Sequence, residues 1–152
     1  MVNGLNSQIQ SGGGYILLTK EFIIRLSHRN NGELTDYKVH CFNGEPKITL
    51  VCSDRFSSTG LKEDFFDENW NHLPIRRPGN PNSKTIIKMP DSYNEMKKLA
   101  RILSQKIPFV RIDFYEINGK LYFGEITFYP SSGFARFEPE EWDYEFGEWL
   151  DL

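Results

Sequence analysis

The sequence predicts an α+β fold built around an antiparallel β-sheet, and three observations support this fold class. Four short apolar runs are typical of strands, and Asn-Gly pairs lie between them as hairpin turns. Residues 91–107 instead repeat apolar side chains at helical spacing. The strands come in consecutive pairs on either side of this helix, which favours antiparallel pairing. The four runs are residues 37–42, 47–52, 110–116 and 121–128.

The first part of the chain is polar. Residues 1–14 end in Gly12-Gly13-Gly14 and are expected to form a flexible tail. A phosphate-binding glycine loop is the alternative, but such loops precede a helix, whereas residues 15–19 have the composition of a strand. Residues 15–26 are predicted to form one or two strands. The folded domain is therefore expected to span residues 15–152.

The middle and end of the chain contain one long irregular segment and two helices. Residues 53–84 show no clear periodicity and are predicted to be a long loop, packed in part through its aromatic side chains. The main helix begins with a capping-box pattern, Ser92 and Glu95, and Pro108 is expected to stop it. A short acidic and aromatic helix is predicted from Pro139 onward.

Composition excludes some functions and favours one compartment. The chain has 152 residues, a net charge of -3 and 14% aromatic residues, with no basic stripe that would support nucleic-acid binding. Cys41 and Cys52 lie inside apolar runs without CxxC spacing, and they are expected to be buried free thiols in a reducing compartment. No apolar run is long enough to span a membrane, and no signal peptide is visible. A soluble, cytoplasmic protein is expected.

The hairpin at residues 110–128 contains the residues most suited to chemistry. Regular alternation places Arg111 and Asp113 together on one face of its first strand. On the returning strand the same alternation would put Glu125 among apolar side chains, where an unpaired carboxylate costs several kcal/mol. Gly124 is suited to a β-bulge, which shifts the alternation by one residue. The sequence therefore predicts a bulge at or near Gly124 that brings Glu125 to the face of Asp113.

Asp113 and Glu125 would together form a magnesium site. Mg²⁺ prefers oxygen ligands, usually a few carboxylates completed by substrate phosphates. Arg111 would balance an anionic substrate or a charge that develops during reaction, and it is the candidate catalytic residue. A structural network of ion pairs among the same three side chains is the alternative, and spacing alone leaves both open.

The same hairpin resembles the last motif of ATP-grasp ligases. In that motif an aspartate, a glutamate and usually an asparagine two residues later hold magnesium and ATP phosphates. Asp113 and Glu125 match the motif, and Thr127 stands where the asparagine usually is, so its hydroxyl would bind a phosphate or water. Roughly residues 18–152 resemble the teichuronopeptide-biosynthesis (TupA-like) branch of the superfamily. The segments that carry this resemblance are residues 36–46, 53–55, 65–67, 69–71, 109–115, 128–134 and 142–144.

The resemblance implies ATP and Mg²⁺ as cofactors and assigns further residues to the nucleotide. The stretch Glu21-Phe22-Ile23 would be the hinge whose backbone pairs with adenine. Asp36 would accept hydrogen bonds from the ribose hydroxyls. Lys38 and Arg55 would contact the phosphates, as cations do when a triphosphate is bound, and Lys62 is a further phosphate candidate.

The activity implied by the resemblance is an ATP- and magnesium-dependent carboxylate–amine ligase in bacterial cell-surface polysaccharide biosynthesis. A substrate carboxylate would form an acyl phosphate with ATP, and an amine would then displace the phosphate. The first lobe of the ATP-grasp fold finds no match, so residues 15–152 are expected to be its C-terminal lobe. The expected partners are ATP, an anionic small-molecule or glycan acceptor, and either a second copy or a separate chain that supplies the other lobe.

Two other classes of function are compatible with the sequence. A non-catalytic or degenerate ATP-grasp lobe would act as a binding module, and Thr127 and the unmatched first lobe favour it. A glycosyltransferase or other carbohydrate-active enzyme would use Asp113 and Glu125 for acid–base chemistry. Its tryptophan and tyrosine side chains would stack on sugars, and its activity would not require a nucleotide.

Overall fold

The computed structural model of the protein describes residues 34–55 and 57–151. Three predictions concern residues outside these ranges: the tail at 1–14, the strands at 15–26, and the adenine hinge Glu21-Phe22-Ile23. The described residues form the predicted α+β fold, a six-stranded sheet with two α-helices packed against it. All strand pairs are antiparallel.

The first four strands form an antiparallel meander and the last two form a hairpin, and the first strand pairs with the fifth at the centre of the sheet. In chain order they are β1 (Asp36–Phe42), β2 (Glu45–Ser53), β3 (Lys62–Asp67), β4 (His72–Leu73), β5 (Phe109–Ile117) and β6 (Lys120–Thr127). Their order in the sheet is β4-β3-β2-β1-β5-β6. Asn43-Gly44 turns the chain between β1 and β2, and Asn118-Gly119 between β5 and β6, with positive φ at all four residues. A two-residue type I′ turn requires this conformation, and both predicted hairpins are confirmed.

The predicted loop at residues 53–84 is wrong in part, because it contains β3 and β4. The strand β3 shows no apolar alternation, since Glu63 and Asp64 are charged and yet both buried. Burial of the Asp64 carboxylate is compensated by the Ser83 N–H, which donates to it at 3.0 Å, and by His72 Nε2 at 2.9 Å. Pairing with β2, rather than local pattern, makes this segment a strand.

The first helix, α1 (Tyr93–Leu103), is the predicted one but is shorter at both ends. Ser92 precedes it without capping it, because its hydroxyl and its N–H both donate to Glu116 Oε2, at 2.6 and 2.7 Å. The predicted capping box is therefore wrong: a carboxylate on β5 is a stronger acceptor for the hydroxyl. The helix ends well before Pro108, and Lys106 takes a left-handed conformation with φ 62°.

The two faces of the sheet differ. The helix α1 covers one of them, here called the helix face, over an apolar core that includes side chains of β1 and β5. On the opposite face, here called the site face, α2 (Glu141–Glu148) packs with its aromatic side chains over β2 and β3. The predicted terminal helix is thus confirmed. The remainder of the site face, over β1, β5 and β6, carries ion-paired polar side chains.

Two expectations from composition are tested by the structure. Cys41 and Cys52 are buried free thiols, as predicted. Burial raises the pKa of Cys41 to about 11 and that of Cys52 to about 12, so both thiols are protonated at neutral pH. None of the helices within the described ranges is long and apolar enough to cross a membrane.

Candidate functional site

The central strands β1 and β5 place charged side chains opposite one another on the site face. Along β1, Asp36, Lys38 and His40 share this face because side chains alternate. The pairing with β5 sets Lys38 against Asp113 and His40 against Arg111. Residues that are directly opposite in an antiparallel pair lie on the same face, about 5 Å apart. The register therefore assembles a charged cluster at the middle of the sheet.

A β-bulge adds Glu125 to this cluster. The β5–β6 register runs Arg111 opposite Thr127, then shifts by one residue between Ile112 and Phe114, so Asp113 faces both Gly124 and Glu125. The predicted bulge is confirmed at the predicted position. Without it, alternation would turn the Glu125 carboxylate to the helix face, among apolar side chains.

Arg111 joins the residues of the predicted hairpin site. Its Nε donates to Asp113 Oδ1 at 2.7 Å and its Nη2 to Asp113 Oδ2 at 2.8 Å. The same Nη2 donates to Glu125 Oε1 at 3.0 Å and to Thr127 Oγ1 at 3.1 Å. The Arg111 guanidinium thus binds the other three residues of the predicted hairpin motif, Asp113, Glu125 and Thr127.

Lys38 extends the network toward the start of β1. Its ammonium donates to Asp113 Oδ2 and forms an ion pair with Asp36 Oδ2 at 2.7 Å. Arg55, in the turn after β2, donates to the same Asp36 oxygen at 3.1 Å. Seven of the predicted site residues therefore lie in one connected network, here called the site cluster. They are Asp36, Lys38, Arg55, Arg111, Asp113, Glu125 and Thr127.

The structure does not bring Lys62 to the site cluster. Lys62 is paired with Ser53, whose neighbour Cys52 is paired with Asp36 on the site face. Alternation therefore directs Lys62 to the helix face, and its ammonium donates to the Thr59 carbonyl at 2.8 Å.

The site cluster has a buried floor and an exposed rim. The Asp113 side chain is only 2% exposed, whereas that of Glu125 is 63% exposed. Burial raises the pKa of Asp36 despite the opposing charge of Lys38. For Arg111, burial alone would lower the pKa, but the hydrogen bonds and the charge of Asp113 outweigh it and raise the pKa. The Arg111 guanidinium is therefore permanently charged. The buried charges of the floor are compensated by the ion pairs of Asp113 with Lys38 and Arg111.

Comparison with known proteins identifies the family to which this chain belongs. A family model described as TupA-like ATPgrasp matches residues 17–151. The chain belongs to the TupA-like ATP-grasp family. No curated protein and no solved structure shows significant similarity to it. The α+β fold of this TupA-like ATP-grasp chain, with its antiparallel sheet, is consistent with one lobe of an ATP-grasp fold.

The carboxylates of the TupA-like ATP-grasp chain suit a hard cation such as Mg²⁺ in their chemistry. Asp113 Oδ1 accepts one hydrogen bond in the described structure, and Glu125 Oε2 accepts none from the described residues, so both keep free lone pairs. Among residues 34–55 and 57–151 no group of three or more His, Cys, Asp or Glu side chains is placed to hold a metal. The fit is therefore that of a two-carboxylate site completed by phosphate or water oxygens.

The sequence prediction missed His40, although its alternation with Lys38 along β1 would have placed it on the site face. Its Nδ1 lies 3.1 Å from the Lys38 carbonyl oxygen. A carbonyl only accepts, so this nitrogen carries the proton and Nε2 keeps the lone pair when the ring is neutral. Burial first, and then the charge of Arg111, lower the pKa of His40 to about 4. A neutral imidazole thus borders the site cluster in this TupA-like ATP-grasp chain.

His40 is expected to make the stability of the fold pH-dependent. Its pKa is lowered from 6.5 to about 4 on folding, so the unfolded chain binds a proton that the folded chain does not. The contribution is fully present above the unfolded pKa and is lost as the pH falls toward 4. The difference in unfolding free energy between wild type and His40→Gln, measured in urea at about pH 5 and about pH 7.5, should be larger at the higher pH. An equal difference at both pH values would contradict the assigned neutral state.

Proposed function

We propose that this chain is an ATP- and magnesium-dependent carboxylate–amine ligase-type domain that acts in bacterial cell-surface polysaccharide biosynthesis. One observation carries the proposal: the bulge opposite Asp113 turns Glu125 onto the site face. Three carboxylates and three cations then lie in one network on the sheet. Membership of the TupA-like ATP-grasp family supports a nucleotide as the ligand of that patch.

The cations of the site cluster are suited to the phosphates of ATP. Arg55 is half exposed and can turn toward a ligand, while Lys38 and Arg111 are mostly buried and held by Asp113. Fixed cations in a buried setting stabilise charge that develops during phosphoryl transfer without having to reorganise. In the proposal Arg111 has this catalytic role, and Lys38 and Arg55 bind phosphates.

The carboxylates have two separate roles in the proposal. Asp36 Oδ1 is buried and has no hydrogen-bond partner in the described structure, so it can accept from a ribose hydroxyl. Asp113 and Glu125 would hold Mg²⁺, which when bound supplies charge neutralisation of the phosphate oxygens. Arg111 donates to both of these carboxylates, so it holds them close to each other.

The experiment that tests the proposal is calorimetric titration of Mg-ATP into the wild-type chain and Glu125→Gln. The substitution keeps size and hydrogen bonding but removes one charged oxygen ligand, so affinity is expected to fall at least about tenfold. Glu141→Gln, an exposed acidic residue of α2, is the matched control and should bind as the wild type does.

Equal and clear binding of Mg-ATP by wild type and Glu125→Gln would overturn the assigned metal role. The same titrations with ADP and with magnesium omitted separate a nucleotide effect from a metal effect. Loss of affinity for Mg-ATP alone, with metal-free binding unchanged, is the expected pattern.

A second candidate function is a binding module without catalysis. The observation that favours it is that both Asp113 oxygens already accept hydrogen bonds from Lys38 or Arg111, as in the structural ion-pair network that spacing alone left open. Thr127 also favours a binding module, because its hydroxyl is a weaker ligand than the usual asparagine. This function predicts no ADP release above background when Mg-ATP is supplied with amine and carboxylate substrates, whereas a ligase predicts release that depends on both.

A further inference from the structure

Glu63, on β3, is a buried carboxylate that the proposed function does not use. It is 4% exposed, and its Oε2 has no hydrogen-bond partner among the described residues. Its other oxygen, Oε1, lies 3.5 Å from Arg77 Nη1, at the limit of a hydrogen bond. Leaving a buried acceptor unsatisfied costs roughly 1–3 kcal/mol, and more for a charged group. Such an oxygen therefore points to a donor that residues 34–55 and 57–151 do not provide.

Glu63 lies on the site face in the same row as Asp36. Cys52 of β2 is paired with Asp36 on one side and with Glu63 on the other. Burial, and after it the negative charges of Asp36 and Glu63, raise the pKa of the Cys52 thiol to about 12. Asp36 Oδ1 is the second buried oxygen without a partner in the described structure. Two unsatisfied carboxylate oxygens thus flank one small side chain.

Arg77 covers Glu63 but is bound more closely to another group. Its Nη2 donates to Ser131 Oγ at 2.6 Å, in the turn after β6, whereas its Nη1 is 3.5 Å from the carboxylate. The Arg77 side chain is 23% exposed, so it has a path to solvent. The contact with Glu63 is therefore the weaker of the two, and it is the one that a competing cation would replace.

We propose that Glu63 is the subsite for a primary ammonium group of a co-substrate, which replaces Arg77 above the carboxylate. An ammonium is compact, carries a charge opposite to that of Glu63, and has three donors, one of which can satisfy Glu63 Oε2. An anion would be repelled by Asp36 and Glu63. A guanidinium is already present and leaves Glu63 Oε2 unsatisfied, so a smaller cation fits better.

The position of this subsite suits the proposed ligase, on which the inference rests. Asp36 lies in the same row as Glu63, beyond Cys52, and Lys38 and Arg55 hold its Oδ2. Lys38 lies two residues along β1 from Asp36, which is about 6.6 Å of strand. A substrate anchored at Glu63 by an amino group would therefore extend toward Asp113 and the phosphates. The substrate class assigned is an amino-bearing small molecule, such as an amino acid or an amino sugar.

The test uses ethylammonium chloride as the probe and the ¹⁵N-labelled full chain without nucleotide or magnesium. Amide shifts of Cys52, Glu63 and Asp36 should saturate with ethylammonium in the wild type, with tetramethylammonium, which has no N–H, giving no saturable change. Glu63→Gln should weaken the binding at least about tenfold. Glu68→Gln, an exposed neighbour beyond the end of β3, should bind as the wild type does. Equal ethylammonium binding by wild type and a folded Glu63→Gln would overturn the subsite.

A second variant keeps the inference testable if Glu63→Gln does not fold. Arg77→Gln removes the competing cation and leaves the carboxylate intact, so it should bind ethylammonium more tightly than the wild type, by several-fold. Unchanged or weaker binding by a folded Arg77→Gln would equally overturn the proposal. Neither measurement involves ATP, so failure of the subsite is distinguishable from failure of nucleotide binding.

Discussion

Replacing Asp113 with asparagine is expected to lower the free energy of unfolding by about 3–5 kcal/mol, the loss typical of removing one partner from a buried ion pair. The Asp113 carboxylate is 2% exposed and satisfies both Lys38 and Arg111, whose side chains are 11% and 13% exposed. Its removal leaves two buried cations that share a neutral amide. Urea denaturation at neutral pH measures the effect.

Two comparisons show whether burial of the ion pairs causes the large loss of unfolding free energy expected for Asp113→Asn. Glu45→Gln breaks the ion pair with Arg101, in which both side chains are more than half exposed, and should cost no more than about 1 kcal/mol. In the double variant Lys38→Met with Asp113→Asn, one of the uncompensated cations is gone, so the loss should be smaller than the sum of the single losses. Additive losses, or a cost for Asp113→Asn as small as that of Glu45→Gln, would contradict the picture of a buried floor.

Gly124→Ala is expected to destabilise the fold by about 1–3 kcal/mol, because the bulge has no room for a side chain. A Cβ at this position would lie 3.0 Å from the Asp113 carbonyl oxygen and 3.0 Å from Tyr115 Cε2. The first of these is backbone of the paired strand and cannot move without disturbing the register that positions Glu125. Thermal and urea unfolding of the variant measure the loss.

Gly147→Ala provides the matched control for Gly124→Ala. Gly147 lies in α2, and a Cβ there would meet no atom within 4 Å. Alanine is the better helix former by up to about 1 kcal/mol, so this substitution should be neutral or stabilising. Opposite signs for the two glycines would tie the cost at Gly124 to the bulge. A loss of equal size at both would instead indicate a general intolerance of the change.

The hairpin of the site was predictable from sequence because its constraints are local. The Asn118-Gly119 turn sets the pairing, strand alternation sets the faces, and the cost of burying Glu125 demands a bulge next to a glycine. Each step involves residues within the same hairpin. The structure has the bulge where these constraints place it.

Other elements were not predictable because their causes lie elsewhere in the chain. The strand β3 has charged side chains at buried positions, and its pairing with β2 and the distant Ser83 N–H make it stable there. Ser92 matches a helix cap in sequence, but the Glu116 carboxylate on β5 takes its hydroxyl. His40 had no motif around it, and only the β1–β5 register sets it opposite Arg111.

The sequence by itself determined the α+β class, the two Asn-Gly hairpins, the bulge and the meeting of Arg111, Asp113 and Glu125, since turn chemistry and side-chain alternation act over a few residues. Only the tertiary structure decided that Asp36, Lys38 and Arg55 join Asp113 while Lys62 does not. It also decided that Glu63 is buried with one oxygen that no described residue satisfies. These outcomes depend on which strands become neighbours and in which register, and that is set by the burial of the whole sheet rather than by any one segment.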